Sequence, residues 1–238
     1  WKSLPDPDDV AAAVAAINAA KKPLLFVGEG VLYANATDEL LAFAEKANLP
    51  VVTTLKAKGA FPENHPLSVG VRGDHVVSYM NEADVFFAIG ASLSPGRFGH
   101  GVPGAVDKTI IQCNIDEFDI NRLYPTSFAI VGDARETLLA LVAELGETPS
   151  SRADVSADIK AATDTALAGI REVMVSDEKP INPYRVYGDL MKTLDREASF
   201  VTHESGNTRD QLSTIYETLI PRGFLGWGNV SSLGFSFP

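Results

Sequence analysis

The first candidates for binding chemistry lie in a polar run between a strand pattern and a helix pattern, His203-Glu204-Ser205-Gly206-Asn207-Thr208. The amides of Gly206, Asn207 and Thr208 stand near the start of the helix, where unpaired N–H groups and the helix dipole attract anions. This position suits an anionic group. Thr208 is also a good helix cap, and both interpretations stay open. His203 could hydrogen-bond a substrate, although a lone histidine at a strand end is more often structural.

A second candidate is the glycine pair in Gly28-Glu29-Gly30, which directly follows an apolar strand pattern. A dinucleotide-binding fingerprint needs a third glycine three residues later and an acidic residue at the end of the second strand. The sequence has Tyr33 and Thr53-Thr54 at those two places. The motif is therefore half complete and argues against an ordinary NAD dehydrogenase. The alternative is that the two glycines only let the chain turn after the strand.

Small or polar residues follow several predicted strands in the first half of the chain. They are Gly28, Gly30, Gly90, Ser92, Asp116 and Asp133. The carboxyl ends of parallel strands face one crevice, and ligands of such sheets bind there. Together these residues predict a nucleotide-shaped crevice. Lys58 could line it, although a solvated lysine is the simpler expectation. The histidines lack ligand spacing, so no metal site is expected within the chain.

The composition limits the class of protein. The 238 residues are 45% hydrophobic and 21% charged, which is typical of a globular protein with one large domain or one and a half. No apolar run approaches the roughly 20 residues of a membrane span. The net charge of −11 offers no basic footprint for nucleic acid, so we expect a small-molecule partner. Cys113 is the single cysteine, which excludes an internal disulfide and fits a reducing cytoplasm.

Strand and helix patterns alternate through the first 145 residues, and these elements must position the candidate groups. Strands are expected at 23–27, 50–54, 84–89, 108–115 and 128–131. Helices are expected at 8–20, 37–47, 74–83 and 134–145. The strand patterns are continuously apolar, so both faces of the sheet should be covered. We therefore predict an α/β fold, a doubly wound parallel sheet with helices on both faces.

The pattern divides the chain into three parts. Residues 1–147 form the predicted doubly wound domain, and 148–180 form a polar linker with an alanine-rich connecting helix on the surface. Residues 181–238 begin a second α/β domain. Its helices are expected at 181–194 and 208–216 and its strands at 199–203 and 224–227. The final residues lie in a glycine-serine segment where no domain should end, so we expect a fragment of a longer polypeptide.

Segments with a specific order and spacing carry a family resemblance along nearly the whole chain. In the first domain they are 22–30 (KPLLFVGEG), 49–54 (LPVVTT), 58–66 (KGAFPENHP), 82–91 (EADVFFAIGA), 111–116 (IQCNID) and 131–134 (VGDA). In the last part they are 203–208 (HESGNT) and 228–238 (GNVSSLGFSFP). The chain resembles thiamine-diphosphate-dependent enzymes of the acetolactate synthase and benzoylformate decarboxylase superfamily. It is similar to their central Rossmann-like domain and the start of their C-terminal cofactor-binding domain.

The resemblance implies that residues 203–208 begin the diphosphate-binding domain and that 228–238 cups the aminopyrimidine ring of thiamine diphosphate. The backbone carbonyl of Ser231 would accept from the amino group of that ring. Many relatives have glycine at this position, so only a backbone role is carried over to Ser231. Leu233 would be the apolar wedge under the bent cofactor, and core packing is its alternative. The Mg²⁺ ligands and the activating glutamate of such enzymes would lie outside this chain.

The same resemblance implies an enzyme that decarboxylates a 2-oxo acid and transfers the resulting acyl carbanion, as acetolactate synthase does; the fragment alone should be inactive. A non-oxidative decarboxylase of the benzoylformate decarboxylase type is one alternative. A nucleotide-binding or oligomer-forming domain without catalysis is another. Flavin-binding relatives carry an arginine where Ser92 stands, which argues against FAD. Because relatives build each active site between two subunits, the whole protein should be a homodimer or homotetramer.

Overall fold

The computed structural model describes residues 2–94, 101–146, 152–226, 228 and 232–236. Its first strands are β1 (Pro23–Val27), β2 (Val51–Thr53), β3 (Ser68–Gly70), β4 (Val85–Ile89), β5 (Thr109–Asn114) and β6 (Phe128–Val131). The accompanying helices are α1 (Pro7–Ala19), α2 (Gly30–Tyr33), α3 (Thr37–Ala47), α4 (Asp74–Glu82), α5 (Ala134–Glu144) and α6 (Ser156–Val173). Single 3₁₀ turns cover Leu55–Ala57, Ala105–Asp107 and Glu117–Asp119.

These strands form one parallel sheet in the order β3-β2-β1-β4-β5-β6. The chain runs outward from β1 in one direction and then from β4 in the other. The topological switch point therefore lies between β1 and β4, where ligands of doubly wound sheets bind. The predicted α/β fold with a doubly wound parallel sheet is confirmed.

Two separate apolar cores cover the two faces of the sheet. Leu25 and Val27 of β1 pack in one core with α1, α3 and α5. Leu24 and Phe26 of the same strand pack in the other core with α4 and α6. Successive side chains of a strand point to opposite faces, so a strand that is covered twice must be apolar at every position.

The predicted elements of this first part agree with the structure to within about one residue at each end, closer than helix bounds are usually defined. The sequence did not predict β3 or α2. They contain three and four residues, which is too short for a periodic pattern to appear.

The linker is fastened to the first domain by polar contacts. The Arg152 guanidinium donates to the carbonyl of Ile17 at 2.8 Å and to that of Ala47, at the carboxyl ends of α1 and α3. A cation is favourable at both places because helix carboxyl ends carry partial negative charge. Helix α6, predicted as a surface connector, buries Ile159 against the second face of the sheet and is otherwise largely exposed.

The last part of the chain contains α7 (Pro183–Thr193), β7 (Val201–Thr202), α8 (Asn207–Ile215) and β8 (Phe224–Leu225). Strands β7 and β8 pair in parallel. A small separate core joins them to the helices through Tyr187, Val201, Leu212, Ile215, Tyr216 and Phe224. In α7 the Asn182 side chain accepts from the Tyr184 amide at 3.0 Å, and proline follows the cap.

Polar side chains tie this last part to the first domain. The Arg222 guanidinium donates to the Leu32 carbonyl at 2.7 Å. Leu32 lies in α2, the short helix that follows β1. Arg72 pairs with Asp210 of α8 at 2.5 Å. No helix in the described ranges combines the length and the apolar character that a bilayer span requires.

Candidate functional site

The loops after β1 and β4 pack backbone against backbone at the switch point of the sheet. A Cβ added at Gly28 would lie 2.1 Å from the Gly90 carbonyl oxygen, and one at Gly30 would lie 2.7 Å from the Gly90 Cα. Gly90 itself has a φ of +62°, a conformation that favours glycine. These three predicted crevice residues are therefore in contact, and their close approach requires the absence of side chains.

The amides of these glycines already have acceptors within the protein. The Gly28 N–H donates to the Ile89 carbonyl at 2.9 Å, and the Gly30 N–H donates to the Gly90 carbonyl at 3.0 Å. The Gly90 N–H donates to the Cys113 carbonyl at 3.0 Å. A dinucleotide fingerprint uses amides of this loop to hold a pyrophosphate. Here the glycines provide close packing, and the interpretation as a turn after the strand is the better supported of the two.

The two crevice aspartates make local capping contacts. Asp116 accepts from the Phe118 amide at 3.0 Å, in the 3₁₀ turn after β5. Asp133 accepts from the Arg135 amide at 3.0 Å and the Glu136 amide at 3.2 Å, which caps α5. Their positions at strand ends were predicted, and the contacts that occupy their carboxylates are those of helix caps.

Ser92 begins a hydrogen-bond chain that the sequence patterns do not reveal. Its Oγ donates to the Ser94 Oγ at 3.3 Å, and the Arg122 guanidinium donates to that same oxygen at 2.8 Å. Arg122 also pairs with Asp119 at 3.1 Å, and Asp119 accepts from Asn114 at 3.3 Å. Arg122 follows β5 in a loop without a motif, so only the fold brings this cation to Ser94 and, through it, to Ser92.

His203 is packed inside the last part of the chain. It is 2% exposed, its ring centroid lies 5.0 Å from that of Phe224, and its Nδ1 lies 3.0 Å from the Glu204 carbonyl oxygen. A Cβ at Gly226 would come within 1.7 Å of its Nε2, so glycine makes room for the ring. Burial lowers the pKa of His203, which keeps the imidazole neutral near pH 7. These contacts fit a structural histidine, but its buried Nε2 has no hydrogen-bond partner among the described residues, so a hydrogen bond to substrate stays a prediction.

The Glu204 carboxylate, by contrast, connects two distant segments. Its Oε1 accepts from the Ser205 amide at 2.9 Å, while its Oε2 accepts from the Gly234 amide at 2.9 Å and from the Ser236 hydroxyl at 3.2 Å. The Thr202 hydroxyl donates to the Ser236 carbonyl at 3.0 Å. The side chains of Thr202 and Glu204, at the end of β7, therefore hold the segment 232–236 through Gly234 and Ser236.

The start of α8 has no side-chain cap. Helix α8 begins at Asn207 with Gly206 as its N-cap residue, at φ +87°, and glycine has no acceptor to offer. Thr208 lies inside the first turn, so the alternative that it caps the helix is wrong. Among the residues that the structure describes, none accepts from the amides of Asn207 and Thr208. These amides are where a helix attracts an anion.

Two arginines neutralise the carboxylate in the first turn of α8. Asp210 pairs with Arg72 at 2.5 Å and with Arg209 at 2.9 Å. Hydrogen bonds from these guanidinium groups, Arg209 first, hold the pKa of Asp210 below its usual value despite partial burial. The acidic residue therefore adds little net negative charge at the uncapped helix start.

Leu233 lies on the segment that Glu204 holds, and its side chain is 81% exposed. The alternative of core packing is contradicted in the described structure, because Leu233 belongs to none of its three apolar cores. Its role beneath a cofactor stays a prediction. Ser231 lies outside the described residues, so the position of its carbonyl is not part of this geometry.

Lys58 is buried at the contact between the two parts of the chain. It is 2% exposed, and its Nζ lies 2.5 Å from Oε2 of Glu63, which is itself 8% exposed. That oxygen also accepts from the Thr218 amide at 2.7 Å, and the Lys58 Nζ lies 5.3 Å from the Phe224 ring centroid. The expectation of a solvated lysine is wrong, because the last part of the chain covers this segment.

The chain matches a known family model and a set of curated relatives. Residues 10–141 match the model described as thiamine pyrophosphate enzyme, central domain. The chain is 33% identical to a probable acetolactate synthase large subunit of Methanocaldococcus jannaschii, covering 100% of this chain and 41% of the relative. It is 34% identical to the acetolactate synthase large subunit of Corynebacterium glutamicum, covering 99% and 38%. It is 28% identical to oxalyl-CoA decarboxylase of Escherichia coli K12, covering 97% and 41%.

A solved structure shows the same arrangement. It is an X-ray structure from Mycobacterium smegmatis, assigned as a thiamin diphosphate-dependent enzyme, with a TM-score of 0.72 and 25% identity. The match covers 99% of this chain and 44% of that one. The chain thus spans about two fifths of the length of the curated relatives that it matches. The chain belongs to the thiamine pyrophosphate enzymes, and it contains the central domain of that family.

Proposed function

We propose that this chain is part of a thiamine-diphosphate-dependent enzyme that decarboxylates a 2-oxo acid and transfers the resulting acyl group, as acetolactate synthases do. The observation that carries this proposal is the extent of the likeness. The family model ends at residue 141, whereas the similarity to acetolactate synthase large subunits continues over essentially the whole chain. It therefore includes the Glu204 region and the segment that bears Leu233.

The described residues fit thiamine diphosphate at two points. The uncapped amides of Asn207 and Thr208, next to Gly206, suit its diphosphate, and Mg²⁺ would accompany that group with ligands outside this chain. The exposed Leu233 offers an apolar surface against which the flat faces of its rings could pack. When bound, thiamine diphosphate supplies the electron sink for decarboxylation.

The chain's own residues would bind and orient the cofactor. Arg72 and Arg209 neutralise Asp210, which lowers the electrostatic cost of an anion at the start of α8. Glu204 fixes the segment that bears Leu233. Preorganised contacts of this kind contribute to catalysis because the geometry is set before the substrate reacts.

A second candidate function is a non-oxidative decarboxylase. The likeness to oxalyl-CoA decarboxylase also covers 97% of the chain, so the described part is compatible with release of carbon dioxide without acyl transfer. The products separate the two candidates, because a transferase forms a condensed acyloin acid whereas a decarboxylase of the benzoylformate decarboxylase type forms an aldehyde.

A nucleotide-binding or oligomer-forming domain without catalysis is less well supported. The loop glycines that could have held a pyrophosphate donate instead to Ile89, Gly90 and Cys113. If the central crevice binds FAD or another nucleotide, the polar groups available near Ser92 are Ser94 and Arg122. A thermal-shift measurement with FAD and with ADP tests this alternative, and no shift with either removes it.

The test of the main proposal uses the full-length protein with a panel of 2-oxo acids, with and without thiamine diphosphate and Mg²⁺. We expect carbon dioxide release that depends on the cofactor, together with an acyloin product identified by mass spectrometry. An aldehyde as the sole organic product would favour the decarboxylase. Failure to bind thiamine diphosphate would remove both.

We also propose that the full-length protein is a homodimer or homotetramer located in the cytoplasm, with a small 2-oxo acid as its substrate. Relatives in the resembled superfamily complete their sites between subunits, which is the reason for expecting an oligomer. Sedimentation velocity of the full-length protein checks this expectation, and a monomer at micromolar concentration would contradict it.

A further inference from the structure

We propose that Glu204 is a positioning residue for thiamine diphosphate, because its carboxylate fastens residues 232–236 to the end of β7 and so presents Leu233 to the cofactor. This inference rests on the proposed function. Glu204 is assigned no contact with the reacting atoms; it acts through the segment that it holds.

The first step of the argument is that two side chains hold the same segment. The Thr202 hydroxyl donates to the Ser236 carbonyl at 3.0 Å, and Glu204 accepts from the Ser236 hydroxyl at 3.2 Å. Thr202 and Glu204 are two residues apart, and such positions share one side of an extended chain. Glu204 also accepts from the Gly234 amide at 2.9 Å. The contacts bridge about thirty residues of sequence and include both a backbone and a side-chain donor.

The second step concerns charge. Among the residues that the structure describes, no cation lies within 4.0 Å of the Glu204 carboxylate. The carboxylate oxygens instead accept hydrogen bonds from N–H and O–H donors. These hydrogen bonds, the one from the Ser205 amide first, lower the pKa of Glu204. The carboxylate is therefore ionised at neutral pH. Hydrogen bonds to an ionised acceptor are stronger than neutral ones.

The third step concerns what the held segment presents. Leu233 immediately precedes Gly234, which has a φ of +87°. The chain therefore turns at the residue whose amide donates to Glu204. A large apolar side chain, 81% exposed on a turn that is tied at two places, has no packing role in the described structure. Its apolar surface is free for a contact that the described residues do not provide, and the proposed function supplies the flat faces of the cofactor rings for that contact.

The decisive variant is Glu204→Gln in the full-length protein. Glutamine keeps the size of the side chain but replaces one acceptor oxygen with an NH₂ group, which cannot accept from the Gly234 or Ser205 amide. The matched control is Glu197→Gln, the same chemical change at an exposed position before β7, where the carboxylate forms no hydrogen bond or ion pair with the described residues. Ser236→Ala is a milder variant that removes only the hydroxyl donor to Glu204.

The assay compares two ligands by calorimetry, each with Mg²⁺: thiamine diphosphate and inorganic pyrophosphate. Because the proposal places the held segment against the rings and the start of α8 against the diphosphate, Glu204→Gln should raise the Kd for thiamine diphosphate by about tenfold to a hundredfold. The Kd for pyrophosphate should not rise by more than about twofold, because the change removes a negative charge close to the start of α8 and so cannot weaken anion binding through charge. Both constants should stay within about twofold in Glu197→Gln. Ser236→Ala should show the same selective loss at a smaller size, and it replaces Glu204→Gln if that variant does not fold.

The outcomes separate the positioning role from the proposed function. A wild-type protein that binds thiamine diphosphate, with an unchanged Kd in Glu204→Gln, would overturn the positioning role and leave the function in place. Equal weakening of both ligands together with a lower Tm would also overturn it, because Glu204 would then only stabilise the fold. A wild-type protein that does not bind thiamine diphosphate would overturn the function itself.

Discussion

Removing one partner of the buried Lys58–Glu63 pair should destabilise the protein strongly. In Lys58→Met the Glu63 carboxylate keeps the Thr218 amide but loses its cation at a site that is 8% exposed. An uncompensated charge at such a site costs about 3–5 kcal/mol in the free energy of unfolding. Glu63→Gln leaves the Lys58 ammonium, 2% exposed, without its counter-ion, and we expect a loss of the same size.

The double variant K58M/E63Q should lose less than either single variant. It contains no buried charge, and the side-chain carbonyl of the new glutamine still accepts from the Thr218 amide, so the remaining cost is about 1–3 kcal/mol for the unpaired NH₂ group. A double-mutant cycle should therefore give a coupling energy of at least about 2 kcal/mol between the two positions. Urea unfolding followed by circular dichroism measures all four proteins.

The pH dependence of Lys58→Met tests the same reasoning. Burial raises the pKa of the Glu63 carboxyl, so the folded state binds that proton more tightly than the unfolded state does. The stability that this proton supplies is present at low pH and is lost as the pH rises through the raised pKa. The variant should therefore be less destabilised at about pH 5 than at about pH 7.5. Additive single effects, or losses below about 1 kcal/mol, would refute the buried pair.

Three further perturbations follow from the described contacts. Leu233→Ala should change the free energy of unfolding by less than about 0.5 kcal/mol, since the side chain is 81% exposed. The same variant should lower the thiamine-diphosphate-dependent turnover of the full-length protein by roughly tenfold or more. Equal turnover would contradict the role of Leu233 as a wedge under the cofactor. Gly28→Ala should cost about 3 kcal/mol or more in urea unfolding, because its Cβ would lie 2.1 Å from the Gly90 oxygen, and a neutral result would disprove that contact. Burial raises the pKa of Cys113 to about 12, so iodoacetamide at mild alkaline pH should label it only after unfolding, and rapid labelling of the folded protein would show that it is accessible.

Several features of the fold could be predicted from short stretches of sequence. The apolar run of β1 predicted a strand covered on both faces, and the two cores that divide Leu24 from Leu25 explain why. The helix α3 was predicted to the residue because its apolar spacing is a local feature. The structure adds that the helix ends at Asn48 in the left-handed conformation. The resemblance to thiamine-diphosphate enzymes likewise depends on short segments in a fixed order, and the family match confirms it.

The candidate site was less predictable. The glycines after β1 and β4 were identified from their positions, but their mutual contact and the use of their amides depend on the pairing of strands some sixty residues apart. Asp116 and Asp133 were placed correctly at strand ends, whereas the capping contacts that occupy them depend on backbone conformation. Arg122 was missed because a single arginine in a loop gives no periodic or motif signal.

The sequence by itself determined the alternation of strands and helices, the doubly wound sheet and the family, because hydrophobic period and short motifs are properties of neighbouring residues. Only the tertiary structure decided that Lys58 is buried against Glu63 and that Glu204 holds Gly234 and Ser236. Glu204 is far in the chain from Gly234 and Ser236. Lys58 and Glu63 are close in sequence, but they are buried by the last part of the chain, which follows much later. Their energies depend on burial and on distances of about 3 Å, and no local pattern specifies either quantity.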